Sequence, residues 1–239
     1  MSPLAIVTGA SSGIGEATAR RLSKEGFSLL LLARRLERLE SLGLPNTLCR
    51  SIDVRDHEAV AVAVREAESV FGPTELLVNN AGLMQLGAVA DQKRQEWQDM
   101  FDVNVVALLN ACQTVLPGMT ARRRGTIVNI GSIAGRNVYG NHTAYCGTKF
   151  AVHAISESLR KEVAADGVRI VVVAPGLVET ELLDHTSSEE IKAGYRDYKQ
   201  SVGGAIPPKD VAEAIHWAYS LPPRACIREI VLAPTTQDA

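Results

Sequence analysis

The stretch that decides the fold is Thr8-Gly9-Ala10-Ser11-Ser12-Gly13-Ile14-Gly15. It follows an apolar run, Leu4–Thr8, that predicts a buried strand, and it opens a segment, Ile14–Glu25, with the spacing of an amphipathic helix. Glycines in such a turn let the backbone approach a pyrophosphate, and the helix N-terminus presents free N–H groups to it. A glycine turn between a strand and a helix therefore predicts a dinucleotide-binding site.

Outward from this turn, short apolar runs alternate with longer helix-period segments. The other predicted strands are Ser28–Ala33, Thr47–Ser51, Leu76–Asn79, Thr126–Ile130, Arg169–Ala174 and Glu229–Leu232. The other predicted helices are His57–Phe71, Trp97–Leu116, Ala151–Ala165 and Pro208–Ser220. Nearly continuous apolar strands are typical of parallel sheets covered on both faces. The alternation predicts an α/β fold with a doubly wound parallel sheet, a Rossmann fold, formed by residues 1–239 as a single domain.

The longest stretch without a predicted strand is residues 177–207, which we call the lid segment. It lies between two predicted strands, carries charges of both signs and contains Gly194, Gly203 and Gly204. A connection of this length inside a compact domain is either functional or disordered. We expect it to be a substrate-binding loop or lid.

The composition excludes several classes of protein. The 239-residue chain has a formal net charge of -2, so we expect no basic surface for nucleic acid or an anionic membrane. Its four cysteines form no Cys-x-x-Cys pair and no cluster with histidine, which predicts no metal site. We see no signal-peptide pattern, and apolar runs such as Leu29–Ala33 are too short to cross a bilayer. We therefore expect a cytoplasmic protein.

A tyrosine and a lysine point to proton chemistry. Tyr145 and Lys149 are four residues apart, so on a helix their side chains share one face. A free tyrosine has a pKa of about 10, and a nearby ammonium would lower the pKa of Tyr145 because it stabilises the phenolate. Tyr145 would then donate or accept a proton near neutral pH. By themselves, the two residues also fit a half-buried tyrosine beside a surface lysine.

Two polar residues accompany this pair. Ser132 follows a predicted strand, at the edge where open parallel sheets bind ligands, although serine there is also a common helix cap. Asn104 interrupts the apolar stretch Val103–Val106, and a buried amide needs hydrogen-bond partners. A local bond within the helix would also supply them.

The end of the second predicted strand indicates which dinucleotide binds. Proteins that bind NAD usually carry Asp or Glu there for the ribose 2′-hydroxyl. Here the sequence is Ala33-Arg34-Arg35, and two guanidinium groups suit a 2′-phosphate through charge-assisted bonds. The arginines predict NADP, although they also fit the basic start of a solvated helix.

Several motifs together resemble the short-chain dehydrogenase/reductase family. They are the glycine turn, Asn79-Asn80-Ala81-Gly82, Asn104, Ser132, Tyr145-x-x-x-Lys149, and Pro175-Gly176 with Thr180. The match runs from Leu4 to about Thr180, and each motif falls at the expected strand end or helix. The resemblance implies an oxidoreductase that transfers a hydride between NADP(H) and a hydroxyl or carbonyl carbon of a small substrate.

The resemblance also implies a role for each matched residue. Tyr145 would be the acid/base, and Lys149 would tune it and hold the nicotinamide ribose. Ser132 would hold the substrate oxygen, and the backbone carbonyl of Asn104 would hold a water that relays protons. With Tyr145 and Lys149, the cofactor would contact Gly9, Ser11, Ser12, Gly13, Ile14, Gly15, Arg34, Arg35, Asp53, Val54, Asn80, Ala81, Gly82, Pro175, Gly176, Val178 and Thr180. Asp53 would lie at the adenine, Asn80, Ala81 and Gly82 would line the adenosine side, and Val178 and Thr180 would lie at the carboxamide and pyrophosphate.

The arginine-rich stretch after the second strand and the residues from 207 to 237 resemble a narrower group. It contains NADP-dependent 3-hydroxy-acid dehydrogenases of the serine or allo-threonine type and clavulanate dehydrogenase. A 3-hydroxy acid or an aldehyde is therefore a possible substrate, and Arg136, Arg196 or Lys199 would meet a carboxylate. Two alternatives stay open: a non-catalytic nucleotide-binding sensor and a ketoacyl-carrier reductase.

Two further expectations concern the histidines and two apolar helices. The tyrosine chemistry needs no histidine, so His142, His153 and His185 are interpreted as surface or packing groups. The predicted helices 97–116 and 151–165 carry more apolar residues than one sheet-facing stripe requires. In the resembling family these two helices pair across a two-fold axis, which implies a homotetramer or a homodimer.

Overall fold

The apolar runs form the strands of one parallel sheet. The computed structural model describes residues 2–238 and, within them, seven strands in the order β3-β2-β1-β4-β5-β6-β7. Their bounds are β1 Leu4–Thr8, β2 Ser28–Ala33, β3 Thr47–Ser51, β4 Thr74–Asn79, β5 Gly125–Ile130, β6 Val168–Pro175 and β7 Glu229–Leu232. The strand order reverses between β1 and β4, which is where open α/β sheets bind their ligands.

Helices cover both faces of the sheet, as the apolar strands require. They are α1 Gly13–Lys24, α2 Leu36–Glu40, α3 His57–Phe71, α4 Arg94–Phe101, α5 Ala107–Ala121, α6 Thr143–Val163, α7 Glu189–Ser201 and α8 Pro208–Ser220. Apolar residues of α1, α2 and α8 pack on one face of the strands. Those of α3, α5 and α6 pack on the other. The structure confirms the predicted doubly wound sheet.

Several boundaries differ from the sequence prediction. The predicted helix 97–116 starts earlier and ends later, and a π-helical turn at Asp102–Val106 joins its two parts, α4 and α5. Helix α6 begins at Thr143 instead of Ala151, because its first two turns carry the polar residues of the site rather than an apolar stripe. The short helix α2 was not among the predicted helices.

The stretch Arg94–Ala121 is long and apolar enough, by length and composition, to cross a bilayer. Its inward residues, including Ala111 and Val115, are buried in the core beneath the sheet. A core helix of a doubly wound fold has this same composition, so the length and composition of this helix do not by themselves indicate a membrane span.

The lid segment is more ordered than a loop. A 3₁₀ turn spans Glu181–His185, and α7 follows at Glu189, capped by the Ser188 hydroxyl. Both ends of the segment meet in a short bridge between Val178 and Ile206. The helix α7 was not among the predicted helices, because most of its residues are polar and only a few, such as Ile191 and Tyr195, pack inward. The role of the segment as a lid stays a prediction.

Candidate active site

One cavity of about 920 Å³ opens at the carboxyl edge of the sheet, beside the β1–β4 reversal. Most of the predicted site residues line it: Gly9, Ser11, Ser12, Gly13, Ile14, Arg34, Arg35, Asp53, Val54, Asn80, Ala81, Gly82, Tyr145, Lys149, Pro175, Gly176, Val178 and Thr180. Gly15, Asn104 and Ser132 are not in the lining. These three residues are buried.

The glycine turn has the backbone that its sequence requires. Gly9 and Gly13 adopt left-handed conformations, with φ of +66° and +55°, which other residues rarely adopt. Asn80 braces this turn from β4, since its amide nitrogen donates to the carbonyl oxygens of Thr8 and Gly9 at 2.9 and 3.1 Å. The Thr8 hydroxyl accepts the backbone N–H groups of Asn80 and Ala81, both at 3.0 Å. Asn80, expected at the adenosine, thus holds the turn that would bind the pyrophosphate.

Arg35 connects the end of β2 to the glycine turn. Its Nη2 donates to the hydroxyls of Ser11 and Ser12 at 3.2 and 3.1 Å. Its Nη1 donates to the Glu181 carboxylate of the lid segment at 2.9 Å. Arg34 lines the cavity nearby. Guanidinium and hydroxyl donors therefore converge at the strand end where the 2′-phosphate is expected.

Asp53 lies at the expected place in the cavity wall but is already paired. Arg55 Nη2 contacts Asp53 Oδ2 at 2.6 Å, and this bond is the largest cause that lowers the pKa of Asp53. Arg55 also lines the cavity and reaches Asp99 Oδ1 at 3.2 Å. The acidic residue is therefore fixed by an arginine that the sequence analysis did not include.

Tyr145 and Lys149 share one face of α6 and are each only 6% exposed. The Lys149 ammonium donates to the Ile130 carbonyl at 2.9 Å and lies 5.8 Å from the centre of the Tyr145 ring. Burial lowers the pKa of Lys149 to about 8. A buried lysine facing the tyrosine rules out the simple alternative of a surface lysine.

The expected lowering of the Tyr145 pKa is not found. Burial raises the pKa of Tyr145 well above its ordinary value, and the neighbouring Tyr195 adds to this rise, while the Ser132 side chain opposes it. The Lys149 ammonium donates to a backbone carbonyl, and its effect on the Tyr145 pKa does not offset the effect of burial. In this protein environment Tyr145 is held as the neutral phenol, which is a proton donor.

Ser132 has the capping role that the sequence allowed. Its hydroxyl accepts the N–H of Ala134 at 3.1 Å and so caps the 3₁₀ turn Ile133–Gly135. A hydrogen bond with the same side chain opposes the rise in the Tyr145 pKa. Ser132 therefore lies near the tyrosine, and its contact with a substrate oxygen stays a prediction.

Asn104 lies in the π-helical turn and is 2% exposed. Its amide accepts the Leu83 N–H at 2.7 Å, and donates to the Leu83 carbonyl at 2.9 Å and the Thr148 hydroxyl at 3.0 Å. These partners lie on the loop after β4 and on α6, so a local helix bond is excluded. Asn104 ties the loop after the Asn80-Ala81-Gly82 motif to the helix that carries Tyr145 and Lys149.

The lid segment forms the remaining wall. Leu182, Leu183, Ile191 and Tyr195 pack with Tyr145 and with the loop residues Met84 and Leu86. Thr186, which is 1% exposed, accepts the Leu86 N–H at 3.1 Å and anchors the segment to that loop. The lid segment thus packs against the tyrosine.

Two of the three histidines lie at the cavity. His142 lines it, stacked on Tyr195 with ring centres 6.4 Å apart and edge-on to Tyr145 at the same distance. Burial lowers its pKa. The exposed His185 also lines the cavity, whereas His153 is a packing group whose Nδ1 is 3.3 Å from Glu229. The position of His142 and His185 at the cavity was not visible in the sequence, because the lid segment and the loop before α6 meet only in the fold.

The three candidate carboxylate ligands differ in their ion pairs and in whether they line the cavity. Arg136 pairs with Glu229 at 2.8 Å and does not line the cavity. Lys199 lines it but pairs with Glu179 at 2.5 Å. Arg196 lines it and, within residues 2–238, forms no ion pair. Arg196 is therefore the candidate best placed to meet an acidic substrate.

Comparisons with known proteins agree with this geometry. The family model for short chain dehydrogenases matches residues 3–191. An uncharacterized oxidoreductase of Staphylococcus saprophyticus is 39% identical over 239 residues, covering 98% of this chain and 96% of that protein. The glycine betaine reductase of Emericella nidulans is 39% identical over 240 residues, which are 97% of this chain but only 18% of that protein.

A solved structure extends the similarity to the fold. The closed form of serine dehydrogenase complexed with NADP+ superposes with a TM-score of 0.90 at 32% identity, covering 99% of this chain and 96% of that one. The family match over most of the chain and the full-length relative lead to one conclusion. The protein belongs to the short-chain dehydrogenase family and is an oxidoreductase of that family.

Proposed function

We propose that the protein is an NADP(H)-dependent oxidoreductase that interconverts a hydroxyl and a carbonyl group on a small substrate. The observation that carries the proposal is the buried pair Tyr145 and Lys149 at the wall of the same cavity as the glycine turn. Proton donor and dinucleotide site thus share one enclosed space, as hydride transfer coupled to proton transfer requires.

The residues present fit NADP(H). Free N–H groups at the start of α1, the left-handed glycines and the Asn80 brace suit a pyrophosphate. Arg34 and Arg35, together with the hydroxyls of Ser11 and Ser12, suit a 2′-phosphate. The similarity to a serine dehydrogenase that binds NADP+ supports the same choice. When bound, the nicotinamide would supply the hydride donor or acceptor.

The chain's own residues would handle the proton. In reduction, the neutral Tyr145 phenol donates its proton to the carbonyl oxygen of the substrate, and in oxidation the phenolate accepts it. Ser132 stabilises the charged form of Tyr145, and the Lys149 ammonium lies beside the same ring. Asn104 bonds the loop after β4 to α6 and so keeps the helix that carries Tyr145 and Lys149 in position.

The lid segment would exclude water while this chemistry takes place. Its Leu182, Leu183 and Ile191 form an apolar cover over Tyr145, and its ends close in the Val178–Ile206 bridge. Lids of this kind sequester reactions and order over ligands. The serine dehydrogenase to which this chain is similar was solved in a closed form, which agrees with a moving segment.

A substrate screen followed by NADPH absorbance tests the proposal. With 3-hydroxy acids and small aldehydes or alcohols as substrates, we expect turnover with NADP(H) and much weaker turnover with NAD(H). NADPH binding without turnover of any hydroxyl or carbonyl compound would instead indicate a nucleotide sensor. Turnover restricted to carrier-linked ketoacyl groups would indicate the ketoacyl-carrier reductase, and equal use of both cofactors would contradict the NADP assignment.

Within that screen, Arg196→Gln tests the substrate class. If the substrate is a 3-hydroxy acid, loss of this guanidinium should raise KM by roughly tenfold or more, since a charge-assisted bond contributes about 1.5–3 kcal/mol. The matched control is Lys192→Gln, which removes a cation of α7 that pairs with Glu189 and does not line the cavity. An unchanged KM in Arg196→Gln would remove Arg196 as a carboxylate ligand.

We also propose that the chain assembles into a homotetramer, or otherwise a homodimer. Large apolar side chains of α4, the π-turn, α5 and α6 remain exposed, namely Phe101, Val106, Leu109 and Phe150. Exposed apolar groups on adjoining helices mark an interaction surface. Light scattering should give two or four times the subunit mass of 25.7 kDa. The mass of a single subunit at micromolar concentration would contradict the proposal.

A further inference from the structure

A carboxylate of the lid segment bonds Arg35, which belongs to the expected phosphate site, and Arg38, which follows it in α2. Glu181 Oε2 accepts from Arg35 Nη1 at 2.9 Å, and its other oxygen, Oε1, accepts from Arg38 Nη1 at 2.6 Å. The three side chains are between 42% and 48% exposed, so solvent reaches the cluster. Both arginines lower the pKa of Glu181, which keeps it charged.

Glu181 also lies beside the residue that packs on the glycine turn. It is the first residue of the 3₁₀ turn in the lid segment, directly after Thr180, the residue that caps this turn. The Thr180 methyl group lies 2.9 Å from where a Cβ on Gly13 would stand, so the start of the turn packs on the glycine turn. Glu181 therefore connects the two arginines to the lid segment close to the glycine turn.

A carboxylate and a phosphate use the same guanidinium donors. Arg–carboxylate and Arg–phosphate pairs form through similar charge-assisted bonds. Arg35 has further partners in Ser11 and Ser12, whereas the ion-pair partner of Arg38 within residues 2–238 is Glu181. A ligand phosphate that recruits both arginines must compete with Glu181 for them.

We propose that Glu181 is a specificity-determining residue that competes with the 2′-phosphate of the cofactor for Arg35 and Arg38. The inference rests on the proposed use of NADP(H). A dinucleotide with the phosphate displaces the Glu181 carboxylate and releases the 3₁₀ turn from the two arginines, so that the lid segment is free to close when a substrate binds. A dinucleotide without it leaves the pairs intact. The two cofactors thus differ in affinity and in the state of the lid segment that each produces.

Calorimetric titration of the whole protein with adenosine 2′,5′-bisphosphate and with adenosine 5′-monophosphate (AMP) tests the competition. These probes differ only in the 2′-phosphate, and binding is measured without turnover. In Glu181→Gln, the bisphosphate should bind roughly three- to tenfold tighter than in wild type, the range that two exposed ion pairs provide. AMP affinity should be unchanged. The matched control is Glu179→Gln, which breaks the pair with Lys199 and leaves both arginines as they are.

The outcomes separate this inference from the cofactor assignment. Weaker or unchanged bisphosphate binding in Glu181→Gln would overturn the competition, and weaker binding would mean that Glu181 orients the arginines. If wild type binds the bisphosphate and AMP equally, the NADP(H) assignment fails as well. Hydrogen exchange of residues 181–201 adds a second measurement. The bisphosphate should speed this exchange in wild type but not in Glu181→Gln, and slower exchange in wild type would contradict release of the turn.

Discussion

Tyr145→Phe should slow the chemical step by at least the roughly 10²–10⁴-fold that is typical of losing a general acid or base. The substitution removes only the hydroxyl and keeps the buried ring that packs against the lid segment. NADPH affinity should therefore hardly change. Stopped-flow measurement of hydride transfer, with NADPH affinity from fluorescence titration, separates the two effects.

Tyr219→Phe is the matched control for this variant. Tyr219 packs edge-on against Phe27, with ring centres 5.2 Å apart, and does not line the cavity. Its substitution should leave the chemical step unchanged. Near wild-type turnover in Tyr145→Phe would overturn the acid/base assignment and leave a water held near Ser132 and Asn104 as the proton donor.

Lys149→Ala and Ser132→Ala complete this series. Lys149→Ala should reduce both turnover and cofactor affinity, because Lys149 is expected to hold the ribose as well as to assist Tyr145. Ser132→Ala should mainly reduce turnover. The losses should not add in double variants, since residues that act as one unit are strongly non-additive. Additive losses would mean that the three side chains act independently.

The pH dependence follows from the raised pKa of Tyr145. Oxidation needs the phenolate, so its rate should increase as the pH rises. Because burial raises the pKa of Tyr145, this increase should occur at a higher pH than it would for a tyrosine with a lowered pKa. Reduction uses the phenol and should stay nearly constant through neutral pH. Lys149, with a pKa of about 8, loses its charge as the pH rises through that value, which removes support for the phenolate. Tyr145→Phe should abolish the alkaline increase in the oxidation rate.

Gly15→Ala should have the second largest effect, because the turn leaves no room for a methyl group. A Cβ at this position would overlap the Gly9 carbonyl oxygen and lie 2.5 Å from the Asn80 amide nitrogen. The Gly9 carbonyl group and the Asn80 side chain that bonds it must therefore both move. Overpacking of this kind costs about 1–3 kcal/mol. We expect the free energy of unfolding to fall by about that amount, and NADPH affinity to fall by roughly tenfold or more.

Gly147→Ala provides the control for the change from glycine to alanine. Gly147 is an exposed residue of α6, and the nearest atom to its added Cβ is a Phe101 ring carbon at 3.6 Å, an ordinary contact. Alanine is favoured over glycine inside a helix by roughly 0.5–1 kcal/mol. Chemical denaturation should therefore show a more stable protein. A stable Gly15→Ala with wild-type NADPH affinity would contradict the packing argument.

The family and most of the candidate site could be predicted from the sequence because the signals involved are local. Gly9 and Gly13 are required by backbone conformation, and the strand before and helix after them are visible as periodicity. Tyr145 and Lys149 share a face because a helix fixes residues four apart on one side. Inferences of this kind depend on a few neighbouring residues, and the fold then brings the motifs to one edge of the sheet.

What only the tertiary structure decided involves residues distant in the chain or dependent on burial. Glu181 meets Arg35 across 146 residues, and no local pattern marks it as a partner. His142 reaches the cavity because the loop before α6 packs against α7 of the lid segment. The pKa of Tyr145 rises rather than falls because enclosure by the core and the lid segment removes water from the hydroxyl, a cost that spacing along a helix does not reveal.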